Sequence, residues 1–147
     1  NVLSSLGEDA ISILTEGLAS VQLADGWIGS LNSIVPERGY WLRTPEFIEA
    51  DSILYTIENA IPTEIDFLYE IHPDYNLISY VGLDGISIGD ALPDDVESSI
   101  ISIVGEGIAA VHLSDGWVGS LEALYRNKGY WLRNVSETDT LYFLFSL

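Results

Sequence analysis

The chain has 147 residues, with 23 acidic and five basic side chains, a net charge of −18 and nearly half of its residues apolar. This length suits one domain of ordinary size or two small ones with a packed core. The acidic excess argues against partners such as nucleic acid and anionic membranes, which require basic patches. The absence of Cys excludes disulfides, thiolate metal sites and a cysteine nucleophile.

Residues 11–43 form a segment that recurs without a gap at residues 101–133. The two copies share 19 identities in 33 positions, including the phrases ADGWIGSL and SDGWVGSL. A match of this length between segments 90 residues apart indicates a tandem duplication.

Each copy of this segment predicts a series of short strands and turns. Two strands, ISIV and IAAVHL in the second copy, are joined by a turn at Gly-Glu-Gly. Asp-Gly predicts a tight hairpin, because glycine tolerates the positive φ that such turns require. SLEAL predicts one helical turn, Asn-Lys-Gly a further turn, and GYWLR a last strand.

The chain after the first copy predicts a half-buried strand at residues 65–71. Ile65, Phe67, Tyr69 and Ile71 alternate with polar residues, which is the period of a strand with one buried face. Residues 141–147 repeat this pattern at an offset of 76 instead of 90. The first module therefore carries a 14-residue insertion near 44–63, in which SILYTI (52–57) is a further candidate strand.

Residues 72–90 have no counterpart ahead of the first copy. NLISYV within them predicts a buried strand, and ALPDDVESSI (91–100) predicts a short helix with Pro93 in its first turn. We therefore expect a mainly β (α+β) fold of two tandem modules. These are an incomplete first module at 1–64, lacking its N-terminal strand, and a second module at 65–147, each with one short helix.

The pattern PDYNLISYVG followed by NKGYWLR resembles a repeat of secreted and surface proteins of bacteria and of marine environmental sequences. That repeat runs as Gly-x-Asn-Leu-Ile-Ser, a short helix and then Gly-Lys-Gly-Tyr-Trp. The resemblance covers Tyr75 to Leu132 and, in the first module, the chain from about Ile11. It implies a β-rich extracellular module without assigned catalytic residues. The sequence departs from the pattern at PDY, where the repeat has Gly-Trp.

The candidate catalytic groups are few. His72 and His112 are the only histidines, and neither recurs in the other copy, where Gln22 replaces His112. Glu16 with Glu106, and Asp25 with Asp115, are the repeated acids. Turn chemistry explains the Asp-Gly pairs, and we expect each repeated Glu to pair with a repeated cation, Arg43 or Arg133. The sequence therefore predicts no enzyme.

We predict no cofactor, although weak calcium binding stays open through Asp84 and Asp90 in DGISIGD. The repeated aromatic residues favour the core or an interface over a glycan site, because adjacent Tyr and Trp in a strand point to opposite faces. These residues are Trp27, Tyr40, Trp41, Trp117, Tyr130 and Trp131. We interpret them, with the repeated Glu and Arg, as framework and interface positions.

The missing strand of the first module predicts an assembly function. A module without a buried strand loses apolar burial and exposes a sheet edge, so we expect its completion by a separate peptide, by the insertion or by another subunit. The apolar C-terminal segment, with Leu141, Phe143, Phe145 and Leu147, is the candidate donor strand. This predicts a homopolymer, such as a filament, fibre or coat, formed by strand exchange.

The alternative is a monomeric binding module for a glycan or protein ligand, cut from a larger surface protein involved in adhesion. No apolar run reaches the length of a membrane span. Because the chain holds no Met, we expect it to be processed from a precursor, and we place it outside the cell or at the cell surface.

Overall fold

A computed structural model describes residues 6, 9–45, 61 and 63–146 of the chain. The chain divides into two compact units. The first unit comprises Asn1–Val35 and Tyr40–Pro62, and the second comprises Pro36–Gly39 and Thr63–Leu147. The sequence predicts a module boundary between residues 64 and 65, and the two units divide between residues 62 and 63. The short segment Pro36–Gly39 belongs to the second unit, although it lies within the first copy of the repeated segment.

The described part of the first unit is one antiparallel sheet of four strands. They are β1 (Ser12–Thr15), β2 (Leu18–Leu23), β3 (Gly26–Gly29) and β4 (Trp41–Arg43). The spatial order is β3-β2-β1-β4, so that β4 is the terminal strand next to β1.

The second unit contains a five-stranded sheet, two strand pairs and two short helices. Its elements are β5 (Tyr69–Ile71), β6 (Asp74–Ser79), β7 (Ile86–Ser87), α1 (Ile88–Ala91), α2 (Asp94–Glu97), β8 (Ile100–Gly105), β9 (Ile108–Leu113), β10 (Gly116–Gly119), β11 (Ala123–Leu124), β12 (Gly129–Asn134) and β13 (Leu141–Phe143). The large sheet has the order β10-β9-β8-β12-β6, while β11 pairs with β7 and β13 with β5. The fold is therefore mainly β with short helices, as the sequence predicts.

The duplicated segment folds into the same hairpins in both units. Ile13 lies opposite Ser20 in the first sheet, and Ile103 lies opposite Ala110 at the equivalent register in the second. The two-residue turns fall at Glu16–Gly17 and Glu106–Gly107, where both glycines adopt a positive φ. The repeated Asp-Gly pairs form the predicted hairpin between the next two strands.

The last glycine of the repeated phrase is required by a close backbone approach. At Gly29 a Cβ atom would collide with the carbonyl oxygen of Ala19, and at Gly119 it would collide with that of Ala109. The same strand end turns back onto its neighbour, since the amides of Ser120 and Leu121 both donate to the Ala109 carbonyl at 2.9 and 3.0 Å. Close backbone packing therefore explains why the last glycine of the repeated phrase is present in both copies.

Two local predictions change. SLEAL does not form a helical turn, because Ala123 and Leu124 pair as β11 with β7. The short helix predicted within residues 91–100 is present as α2, with Pro93 at its N-cap, and α1 is an additional helix that the sequence did not predict. The predicted strand at 65–71 is reduced to Tyr69–Ile71, with residues 65 and 66 in a turn.

The second unit holds the larger core. Eighteen buried apolar residues pack together there, among them Ile71, Tyr80, Ile103 and Leu132. The described core of the first unit has four buried members, Leu6, Ala10, Ile13 and Leu31. Within the described residues, no helix has the length and apolar character needed to cross a membrane.

We predict that Gly119→Ala destabilises the second unit. The added methyl group has no room beside the Ala109 carbonyl, and overpacking of this kind costs about 1–3 kcal/mol. Chemical denaturation followed by circular dichroism measures the change. Ser114→Ala, in the exposed turn of the same hairpin, is the control that should leave the midpoint in place, and an equally stable Gly119→Ala protein would contradict the proposed close approach.

We also predict a loss of stability of the second unit at alkaline pH. Burial raises the pKa of Tyr69, and likewise of Tyr80 and Tyr130, above the ordinary value of 10.0. The folded unit thus retains protons that the unfolded chain releases, so stability is complete below pH 10 and falls as the pH rises above it. Urea titrations between pH 7 and 11 measure this, and Tyr69→Phe should flatten the decline. If Tyr69→Phe loses stability as steeply as the unaltered chain, ionisation of Tyr69 does not cause the decline.

Candidate functional site

The repeated Tyr-Trp pair places its two rings on opposite faces of each sheet. Tyr130 is buried in the second core, whereas Trp131 is half-buried on the other face. Tyr40 and Trp41 follow the same alternation in the first unit, with Trp41 more exposed. The Tyr hydroxyl has an equivalent role in both units, because it accepts a hydrogen bond from the amide five residues earlier. These tyrosines fix the loop that leads into the strand.

The two sheets diverge at their fourth strand. From β1 to β3 the burial pattern of the first sheet nearly repeats that of β8 to β10 in the second. At the next strand, Leu42 in β4 is 42% exposed, whereas its equivalent Leu132 in β12 is fully buried. Leu42 lies opposite the buried Ile13, as Leu132 lies opposite Ile103, so both leucines belong to the core-facing side.

Strand β6 lies beside Leu132 and has no described equivalent beside Leu42. It pairs antiparallel with β12 along its whole length, from Asp74 opposite Asn134 to Ser79 opposite Gly129. The first sheet ends at β4 among the described strands, with no equivalent of β6 beyond it. An apolar side chain that should be buried is therefore exposed beside a sheet edge, and we define β4 and the exposed side chain of Leu42 as the acceptor edge.

Arg133 helps to hold β6 in place. Its Nε donates to Asp74 Oδ1 at 3.2 Å, and its guanidinium carbon lies 5.3 Å from the centre of the Tyr75 ring. The expected partner Glu106 lies exposed in its turn, and no ion pair joins it to Arg133 among the described residues. Arg43 ends β4 at the equivalent position, and Glu16 occupies the equivalent turn.

The two repeated tryptophans of the Asp-Gly-Trp phrase differ in their hydrogen bonding. Trp117 Nε1 donates to Glu97 Oε1 at 2.8 Å, and the ring stacks on His112 with a centroid distance of 4.9 Å. Among the described residues, Trp27 Nε1 is buried without a hydrogen-bond partner, as is Oε1 of Gln22 on the paired strand. An unmet buried donor costs about 1–3 kcal/mol, so the first unit carries a polar deficit as well as an apolar one.

The histidines have local structural contacts. His112 Nε2 lies 3.9 Å from Glu97 Oε1, beside the Trp117 ring. The backbone amide and carbonyl of His72 bond the side chain of Asn76 at 3.0 and 2.9 Å, which closes the turn into β6. These contacts explain both histidines as parts of the framework.

The acidic loop DGISIGD uses its carboxylates within the fold. Asp84 Oδ1 accepts from the Arg126 amide at 2.6 Å, and Asp90 Oδ2 accepts from the Ser87 hydroxyl at 2.6 Å. Asp25 and Asp115 lie exposed in the hairpin turns. No group of three or more metal-binding side chains gathers within the described ranges.

The C-terminal segment proposed as a donor strand is occupied in its own unit. Leu141 pairs with Ile71, while Phe143 and Phe145 are each 3% exposed in the second core. Their rings pack against Tyr69 and Tyr80 at centroid distances of 4.8–6.0 Å. Donation to another copy would thus have to dismantle this core. Leu147 and the candidate strand SILYTI lie outside the described residues.

A second repeated feature is an exposed apolar face on each sheet. Val21 pairs with Ile28 on the first sheet, and Val111 pairs with Val118 at the same register on the second. All four side chains are exposed, and Leu23 and Leu113 lie exposed on the same strands. We call these residues, together with Leu14 on the same side of the first sheet, the outer face of their sheets.

Comparisons with protein-family models, with curated proteins and with solved structures gave no match to this chain.

The sequence pointed to the acceptor edge only through the missing counterpart of residues 72–90, and not through the residues of β4 themselves. Leu42 and Leu132 belong to the identical stretch GYWLR, so only their surroundings distinguish them. Glu97 and Asp74, the acceptors for Trp117 and Arg133, were missed because the first copy offers no matching acid: Glu97 aligns with Gly7, and Asp74 falls in the segment without a counterpart.

We predict that matched truncations at the two leucines have unequal costs. Leu132→Ala removes a fully buried side chain and should destabilise the second unit by about 2–5 kcal/mol. Leu42→Ala removes a side chain that is 42% exposed, so its cost should be smaller, at about 1 kcal/mol. Denaturant titrations of both variants at low protein concentration measure the difference. Equal costs would show that Leu42 is as well packed as Leu132.

Proposed function

We propose that this protein is a non-catalytic, extracellular structural subunit that joins a filament, fibre or coat by accepting a β-strand at the acceptor edge. The single observation that carries the proposal is the contrast between exposed Leu42 and buried Leu132 at equivalent positions. A sheet edge that exposes apolar side chains is a ready template for another chain.

Other features of the first unit support this proposal. Its described core has four buried residues, and two of its buried polar atoms have no partner. Both deficits are of the kind that added strands relieve, because main-chain hydrogen bonds supply affinity while side chains fill the open core. The acidic surface keeps the subunits soluble, and salt weakens the repulsion between copies.

Association between copies is the simplest form of this assembly. The acceptor edges of two copies can pair antiparallel around a twofold axis, which shields Leu42 on both sides without removing any strand from a core. Because a twofold contact closes at a dimer, growth into a filament, fibre or coat requires a second contact between such dimers. This form replaces the exchange of the C-terminal segment, whose phenylalanines are already buried.

The experiment is light scattering with size-exclusion chromatography over a range of concentrations. The unaltered chain should form species above the monomer mass of 16.1 kDa, and Leu42→Asp should shift them to the monomer, because pairing would bury the introduced charge. Leu14→Asp is the matched control. Leu14 is 41% exposed in the same sheet but lies opposite Trp41 on the other face, so assembly should persist.

A binding module for a protein ligand is the second candidate, favoured by the outer face. Contiguous exposed apolar residues mark interaction sites on soluble proteins. If Leu14→Asp or Val21→Asp abolishes association while Leu42→Asp does not, the outer face is the contact surface and the acceptor-edge proposal is wrong. A chain that remains monomeric at every concentration would refute self-assembly.

A further inference from the structure

The second unit contains an internal template for the strand that fits the acceptor edge. Its sheet matches the first through four strands, β10-β9-β8-β12 against β3-β2-β1-β4, and then adds β6 beside β12. Since β4 and β12 share the sequence Trp-Leu-Arg, the edge that β12 offers to β6 is reproduced in β4. The duplication thus identifies the kind of strand that such an edge accepts.

We propose that the acceptor edge binds a segment with the sequence pattern of residues 72–90, supplied by another repeat. This inference rests on the proposed function, because it names the strand taken by the same edge. The ligand class is an extended peptide with Asn-Leu-Ile-Ser-Tyr-Val at its centre, followed by a turn and a short helix.

The template also gives the register. Ile78 lies opposite Tyr130, Leu77 opposite Trp131 and Asn76 opposite Leu132. Transferred by 90 positions, the incoming Ile, Leu and Asn face Tyr40, Trp41 and Leu42. The transferable pairing begins at Tyr40, because Gly39 already donates its amide to the Leu77 carbonyl at 3.2 Å within the second unit.

The side chains of this segment match what the first unit lacks. In the second unit Ile78 and Tyr80 are core residues, and the Tyr80 ring meets the edge of Tyr130 at a centroid distance of 6.5 Å. The following helix α1 packs on β10, with Gly89 beside Trp117. A segment of the same pattern would place its Ile opposite Tyr40 and its Asn opposite Leu42.

The C-terminal segment has no such template. β13 pairs with β5, and neither strand pairs with β12 or with β4. Its apolar side chains fill the core of the second unit from a different sheet. Apolar character alone therefore does not make it a match for the acceptor edge.

The test adds a synthetic peptide of residues 72–90 to the full chain at low concentration, where copies do not associate. Backbone hydrogen exchange at Leu42 is the readout, because the backbone of Arg43 and of Trp41 faces β1, where the Arg43 carbonyl accepts from the Ile11 amide at 2.8 Å, whereas that of Leu42 faces away from β1. We expect exchange at Leu42 to slow by about tenfold or more, because a new main-chain hydrogen bond protects its amide. The matched control peptide carries Ile78→Lys, which places a charge at a core-facing position and should give no protection.

A third peptide, residues 138–147, separates this inference from the proposed function. If it protects β4 and the 72–90 peptide does not, the inference is wrong while the strand-accepting function stands. If neither peptide protects β4, the inference is wrong, and the light-scattering experiment decides the proposed function separately. If the chain alone already protects β4 as well as β12, both are wrong. Equal protection by the Ile78→Lys peptide would also overturn the inference, because binding would then ignore the template.

A fusion gives an independent readout. Residue 91 aligns with residue 1, so a copy of residues 72–90 placed directly before Asn1 reproduces the order of the second unit. We expect this fusion to slow exchange throughout β1–β4 and to abolish binding of the free peptide. The same fusion with Ile78→Lys in the added copy should do neither, and if both fusions behave alike the proposal fails.

Discussion

The antiparallel pairing of β6 with β12 is the interaction on which the rest of the structure depends. It covers the last strand of the duplicated segment, places Ile78 beside Tyr130 and allows Leu132 to be fully buried. Arg133 reinforces the pairing from the outer side through Asp74 and Tyr75. Where this pairing exists, a complete core of eighteen buried apolar residues forms around it.

The first unit shows what the duplicated segment achieves without that pairing. Its hairpins, turns and close glycine approach are intact, because they depend on residues adjacent in sequence. Its described core is small, Leu42 is exposed, and Trp27 has no partner among the described residues, whereas Trp117 bonds Glu97. Local structure is thus encoded within the repeat, while the sheet of the second unit also uses β6, which lies outside the repeat.

The proposed assembly follows from this division between local and supplied structure. Under this proposal, a unit whose described sheet ends at β4 gains both hydrogen bonds and apolar burial from one incoming segment, and the required pattern gives the contact its specificity. The net charge of −18 opposes indiscriminate association, so a specific strand contact is favoured over general aggregation. The outer face offers a second, separate surface on the same sheets.

By itself the sequence determined the duplication, the β-rich class, the hairpin turns and the strands of the repeated segment, because short-range periodicity and turn residues encode these features. It also indicated that residues 72–90 have no counterpart. Tertiary structure alone decided that SLEAL pairs as a strand, that Arg133 bonds Asp74 instead of Glu106, and that Phe143 and Phe145 fill a core. These outcomes depend on pairing between distant segments, where burial and strand partners override local propensity.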